Sequence, residues 1–249
     1  MEENQRLLMP RQDEQSCPTI KFFDGQFLFT MVTLQGTKIE ALRSEAAVRE
    51  AFTNIPVDTG WINQDTTCRS VVRWGDGGRG EWAVLYVPPG LHKLELTTDA
   101  KAIADNLERI TAPLPSLIFF GAGTKYWLWA LRAPKFEPYN DLMRAPLPNV
   151  FEDGEVCWGP HKPPACTGRA IVNAWELFIS TTFSNHAASG KSRKYDEDVR
   201  DGLREAARSG ESPSYPSEDL IRYMGTGLSI DQVIRAFTKD GEIAPSEEE

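Results

Sequence analysis

Basic runs, paired cysteines and long apolar stretches are what this chain has least of, and each shortage removes a class of function. Its 36 acidic side chains outnumber 27 basic ones for a formal net charge of −9. No basic run interrupts that excess, so the surface is not built to neutralise nucleic-acid phosphates. No apolar segment is long enough to span a bilayer, and Met1–Ser16 is polar and acid-containing, without the hydrophobic centre of a secretory leader. No membrane partner is therefore expected, and the expected location is the cytoplasm. The four cysteines, Cys17, Cys68, Cys157 and Cys166, are too few and too irregular for the disulfide framework of a small secreted domain, which makes reduced thiols the expectation. No Cys-x-x-Cys pair occurs, and His92, His161 and His186 do not fall at zinc-finger spacing. A P-loop and a dinucleotide glycine fingerprint are also missing, so neither a metal nor a nucleotide cofactor is expected.

What is present suffices for a real core: 249 residues, 41% of them hydrophobic and 10% aromatic. Ile20, Phe22 and Phe23, then Asp24-Gly25, then Phe27, Phe29, Met31 and Val32 read as a hairpin. Ser44 is placed to cap a helix through Asn54, ended by Pro56. Strands at 70–74, 82–87 and 91–96, separated by glycines and by Pro88-Pro89-Gly90, read as an antiparallel meander. Ile103, Leu107 and Ile110 recur at helical spacing, predicting a helix from Thr98 or Asp99 to Ile110 that Pro113 and Pro115 close. Strands at 117–120 and 126–132 follow, joined through Gly121-Ala122-Gly123-Thr124. In the second, Trp127 and Trp129 alternate with Leu128 and Ala130, so both faces are expected to be covered.

After a proline-rich irregular segment, 133–148, the spacing of Ile171, Val172, Trp175, Phe178, Ile179 and Phe183 predicts a helix. Beyond Ser189 the chain is charged. Residues 196–208 read as a surface helix, Ser217 to Phe237 as one or two helices with Ser229 and Gln232 as a capping box, and 244–249 as disordered. The fold class expected is α+β.

The stretch Leu147-Pro148-Asn149 through Val150, Gly154, Val156, Cys157 and Trp158 concentrates the chemistry. It sets a thiol a fixed short distance beyond a Pro-Asn turn. Acyl transfer through sulfur needs a thiolate, a donor that stabilises the oxyanion and room for a bulky partner, and this segment supplies the first two. Each residue also has a plainer role: a cysteine is a common core side chain, an asparagine a common turn residue, and an acidic loop residue usually just solvated. An ordinary thiol is only a few per cent ionised at neutral pH.

This pattern resembles ubiquitin-conjugating enzymes, whose signature is His-Pro-Asn with the acceptor cysteine eight positions after the asparagine. Asn149 and Cys157 keep that interval, Gly154 falls where those enzymes carry a glycine, and Pro163-Pro164-Ala165 is similar to their segment after the cysteine. The runs RWG, GEWAVLYVPPG, PLPSLIFFG, YWLWAL, RAPLPNVFEDGEVCWG and WELFISTTFSNH resemble more closely the prokaryotic family D of that superfamily, which includes the PRTRC system protein B group. The histidine of the signature is Leu147 here, as in family D, where a histidine downstream of the cysteine is typical; His186 matches that position.

The resemblance implies a ubiquitin-conjugating (UBC-like) fold with an extended antiparallel meander and flanking helices. It divides the chain into a lead-in (1–18), an α+β portion (19–112), a catalytic core (113–188) and a charged helical extension (189–249). It implies a thioester carrier at Cys157, with Asn149 stabilising the oxyanion and His186 favouring the thiolate or deprotonating an incoming amine. Asp153, with Glu152, would orient that amine, and Trp158 would shield the thioester from water. The partners implied are an adenylating enzyme of the ubiquitin-activating type, a ubiquitin-like protein and a JAB-type peptidase. A catalytically inactive scaffold of the same fold is the alternative. A hydrolase using Cys157 and His186 is the third reading, and Cys166 is a candidate backup thiol.

Overall fold

Alternation along one strand organises the larger part of the molecule. In a computed structural model that describes residues 19–23, 26–32, 38–44, 57–62, 67–77, 80–97, 107–208, 214–225 and 227–240, the chain divides into two units, Met1–Ile55 and Pro56–Glu249. The predicted helix after Ser44, the lead-in, the tail from 244 and Cys17 lie outside the described residues.

In the first unit, β1 (Thr19–Phe23), β2 (Gln26–Val32) and β3 (Lys38–Ser44) form an antiparallel sheet in that order. Phe23 pairs with Gln26, so the first two strands pair as the expected hairpin requires, and the expected turn residues Asp24-Gly25 lie outside the described residues.

The second unit holds β4 (Val57–Asp58), β5 (Ser70–Gly77), β6 (Gly80–Val87), β7 (Gly90–Thr97), β8 (Leu107–Leu114), β9 (Ser116–Ala122), β10 (Lys125–Leu131), β11 (Leu142–Arg144), α1 (Ala170–Ile179), β12 (Thr182–Phe183), α2 (Val199–Arg208) and α3 (Ile230–Asp240). Its main sheet is antiparallel, in the order β11-β10-β9-β6-β5-β4. A second sheet has the order β12-β7-β8, with β12 parallel to β7. The architecture is α+β with mostly antiparallel sheets. Among the described residues no helix is long and apolar enough to cross a membrane.

Side chains of the central strands alternate between two cores. Leu85, Phe119, Tyr126 and Leu128 point toward α1, meeting Ile171, Ala174, Trp175 and Phe178. Val84, Tyr86, Phe120, Trp127 and Trp129 point the other way and meet Ile230, Val233 and Ile234 of α3. Both faces are covered, as the alternation of β10 predicts. The C-terminal helix is thus a second layer on the sheet, each of those three side chains contributing about 1.5–3 kcal/mol by burial. The expected capping box starts it: the Ser229 N–H donates to Gln232 Oε1 at 2.9 Å, and the Gln232 N–H to Ser229 Oγ at 3.4 Å. Asp231 ties the helix back to the sheet, accepting from Trp61 Nε1 at 2.8 Å beside the Arg73 guanidinium.

Four expectations need correction. The strands at 70–74, 82–87 and 91–96 are not one meander: β6 pairs with β9, and β7 leaves to pair with β8. The two residues between β6 and β7 are Pro88 and Pro89, and a two-residue hairpin needs positive φ at its first position, which a proline ring forbids. By contrast Gly123 (φ +57°) takes that position in the turn joining β9 to β10. Residues 107–110 are strand, not helix, with Ile110 opposite Leu94. Pro113 is accommodated because β8 is an edge strand. The surface helix α2 buries Val199, Leu203 and even Arg200, whose guanidinium donates to the Thr97 carbonyl and hydroxyl at 2.9 Å and to Asp198. Phe183, predicted to extend the helix before it, instead lies in β12.

Candidate active site

The interval between Asn149 and Cys157 is the span of a small hairpin laid on the free edge of β10. The Phe151 N–H donates to the Glu155 carbonyl and the Cys157 N–H to the Asn149 carbonyl, both at 2.8 Å, with Val150 bridged to Val156 between them. The hairpin joins the sheet through the Val156 N–H to the Tyr126 carbonyl and the Leu128 N–H to the Gly154 carbonyl, both 2.8 Å. The first half of β10 therefore takes this hairpin, and its second half takes β11. Gly154 is required twice over: its φ is +85°, and an added Cβ would lie 2.5 Å from Trp129 Nε1.

Burial alternates along the hairpin as a sheet requires. Val150 and Val156 enter the core with Leu147, so the position of the resembling signature's histidine is filled by a core leucine. On the opposite face Phe151 is 41% exposed and Cys157 is half-buried.

Asn149 has φ +58°, a left-handed conformation that asparagine tolerates better than most residues. A strap running from β12 holds it there. Its N–H donates to the His186 carbonyl and its Nδ2 to the Thr182 carbonyl, both at 3.0 Å, while Ser184 Oγ donates to its Oδ1 at 3.4 Å. The three residues His186, Asn149 and Cys157 are thus joined by consecutive backbone hydrogen bonds. His186 is exposed, and its ring stands edge-on to Phe151 at 5.5 Å.

The other candidates lie around this centre. Asp153 Oδ1 accepts from the Glu155 N–H at 2.9 Å, closing the hairpin's turn, and Glu152 pairs with Arg144 at 3.2 Å. Trp158 packs edge-on to Tyr126 and Phe178, with its ring against the first core. The Tyr126 hydroxyl donates to the Pro164 carbonyl at 2.8 Å, fixing the proline segment that follows Cys157. Cys166 is different in kind: it is 3% exposed, and burial pushes its thiol up to about 12. A thiol so far above neutrality is no nucleophile. Among the described residues no group of three or more His, Cys, Asp and Glu side chains is arranged to hold a metal ion.

Two lysines escape notice in the sequence. Lys191 is 3% exposed, beside Arg144 and the acidic turn of the hairpin, and burial followed by the Arg144 charge brings its ammonium down to about 8. Lys125 opens β10. Its ammonium pairs with Glu155 Oε2 of the hairpin at 3.6 Å. No local pattern announces either lysine, since the charged neighbours of both come from segments distant in sequence.

No curated protein and no solved structure matches the chain. The family model described as prokaryotic E2 family D matches residues 42–223, well over half of the chain and including the hairpin, the strap and both lysines. The chain belongs to prokaryotic E2 family D.

Proposed function

We propose that this protein is a ubiquitin-conjugating-type carrier whose UBC-like core, residues 113–188, holds the C-terminus of a ubiquitin-like protein as a thioester on Cys157. The observation that carries the reading is the pairing of Cys157 with Asn149 across the hairpin, with the thiol half-buried at the sheet edge while Cys166 is enclosed. Family membership supports a conjugating role with ubiquitin-like and adenylating partners in general. In the first step the Cys157 thiolate attacks the activated carboxyl of the tail, delivered by the adenylating enzyme, and the donor's leaving group departs. In the second, an amine attacks the thioester carbonyl, the C–S bond breaks and Cys157 leaves as thiolate.

Asn149 is suited to the second step. One of its two Nδ2 hydrogens is committed to the Thr182 carbonyl, which fixes the carboxamide and leaves the other for a developing oxyanion. His186, exposed and linked to Asn149 through its carbonyl, takes the amine proton. Asp153, exposed at the turn, orients the incoming amine, and Trp158 limits water at the thioester. A JAB-type peptidase would act on the products.

The test combines the protein with its adenylating enzyme, ATP and ubiquitin-like protein. The expected product is an adduct cleaved by reducing agent, converted in Cys157→Ser to one that resists it. Absence of any adduct with the true partners would leave the chain a scaffold.

A further inference from the structure

At the end of β10 remote from the hairpin lies a cavity of about 950 Å³. The hairpin joins the strand at Tyr126 and Leu128, and the cavity starts at Leu131, roughly 10–17 Å further along. It is a separate site from the thiol. Its lining comes from the strand ends, through Pro89, Pro115 and Pro134, and from the charged extension, through Tyr195, Tyr215 and Pro216. Prolines hold a fixed backbone, and the Tyr86 hydroxyl pins the Pro134 carbonyl at 2.8 Å, so these walls need little ordering to receive a ligand. The volume falls in the range of about 300–1,000 Å³ usual for small-molecule sites, whose walls are mostly apolar with a few convergent polar groups.

The charged groups of the lining divide into spent and unspent. Glu205 accepts from Lys194 Nζ on both oxygens at 2.8 Å, and from the Tyr195 hydroxyl. Asp219 accepts from the Tyr215 hydroxyl at 2.6 Å, and from Ser192 Oγ and the Lys194 N–H at 2.8 Å. Those carboxylates and Lys194 are satisfied within the wall. Arg132 is exposed and makes no hydrogen bond or ion pair among the described residues, and Arg193 spends only its Nε, on the Leu220 carbonyl at 3.2 Å. Glu218, the third carboxylate of the lining, is exposed and likewise unpaired among the described residues. Two guanidiniums to one carboxylate therefore stand uncommitted, on a chain whose formal net charge is −9.

From this arrangement, and independently of the carrier reading, we infer that the cavity is a binding site for an organic anion: a carboxylate or phosphate on an apolar, ring-sized body. The anionic group is taken by the forks of Arg132 and Arg193, whose planar N–H donors match such oxygens two at a time. The body lies among the prolines and the tyrosine rings. A ligand so held ties the extension to the sheet, and by binding only the folded chain it raises the melting temperature.

The experiment titrates the full chain with dansylglycine, a carboxylate on a naphthalene body that brightens in apolar surroundings, and with dansylglycinamide, the same body without the charge. Saturable binding at a single site is expected for dansylglycine, with the amide weaker by roughly tenfold or more, the worth of a charge-assisted pair. Arg132→Gln removes no hydrogen bond or ion pair among the described residues; it should weaken dansylglycine by roughly tenfold and leave the amide unchanged. Ala133→Trp fills the cavity and should abolish binding of both, with thermal melts of the unliganded variants confirming that each folds. Displacement of dansylglycine by 1-naphthoate or 1-naphthyl phosphate supports the site, and the more effective of the two names the oxyanion. Displacement by neither, equal affinity for acid and amide, or undiminished binding in either variant overturns it. None of these results bears on the thioester, which the adduct test decides alone.

Discussion

The Cys157 N–H donates to the carbonyl of Asn149 at 2.8 Å, so the two residues are partners across a hairpin. Eight residues is what two short antiparallel segments and their turn require to return the chain to its starting level. The turn between them is closed by Asp153 and Gly154, and the hairpin is fixed to β10 on one side and to the His186 strap on the other. Anything that shifts Asn149 therefore shifts the thiol.

Asn149 combines a backbone and a side-chain role that substitution can separate. Asn149→Ala loses the carboxamide bonds to Thr182 and Ser184 and places a Cβ residue without that local support at φ +58°. A loss of about 1–3 kcal/mol of stability is expected in urea melts. Asn149→Gly tolerates the left-handed backbone and should be the more stable of the two. Both lack the amide N–H, so discharge of a preformed Cys157 thioester to an amine should fall ~100- to 1,000-fold in each. If Asn149→Gly discharged at the normal rate, the carboxamide would be a purely structural group.

The thiols should sort by burial. Cys166, enclosed and pushed up to about 12, should resist iodoacetamide in the native protein from pH 7 to 9 and react only after denaturation. Half-buried Cys157 should be modified under native conditions, with exposed Cys68. Peptide mapping of the labelled sites gives the order. Native labelling of Cys166 at a rate matching that of Cys157 would contradict the enclosed position of that sulfur and reopen its role as a second thiol.

Local periodicity carried much of this fold and little of its pairing. Tyr126 to Leu131 alternate between two apolar faces, and that pattern is legible without coordinates because it depends only on strand geometry. Ile171, Trp175 and Phe178 likewise mark α1. Leu107 and Ile110 mislead: with Ile103 their spacing suits a helix, and what makes 107–110 a strand is pairing with Leu94, Glu95, Leu96 and Thr97, which no local window contains. The same limit applies at the site. Asn149 and Cys157 are close in sequence and could be coupled from spacing. The hydrogen bond from Asn149 to the His186 carbonyl closes a gap of 37 residues, and the ion pair of Lys125 with Glu155 depends on a bridge between β10 and the hairpin.

Lys191 should make stability depend on pH in a direction opposite to that of a salt-bridged lysine. Burial is the main cause of its lowered value, the Arg144 charge adds to it, and Glu152 and Asp153 oppose it. Its folded pKa of about 8 lies below the ordinary 10.5. Below pH 8 the ammonium is present in both states, and the full cost of enclosing it weighs on the folded one. Between about 8 and 10.5 the unfolded chain binds more protons, so this group raises stability as pH rises, by on the order of 3 kcal/mol over the whole interval. Other lysines and tyrosines titrate near the upper end, so the measurement compares the protein with Lys191→Met in urea melts from pH 7 to 9.5. Methionine has similar length and no charge to desolvate. The variant should be the more stable at pH 7, and its advantage should shrink steadily as pH rises above 8. A constant difference between the two across that range would mean that Lys191 stays charged in the folded protein, paired with Glu152 or Asp153 and reached by solvent.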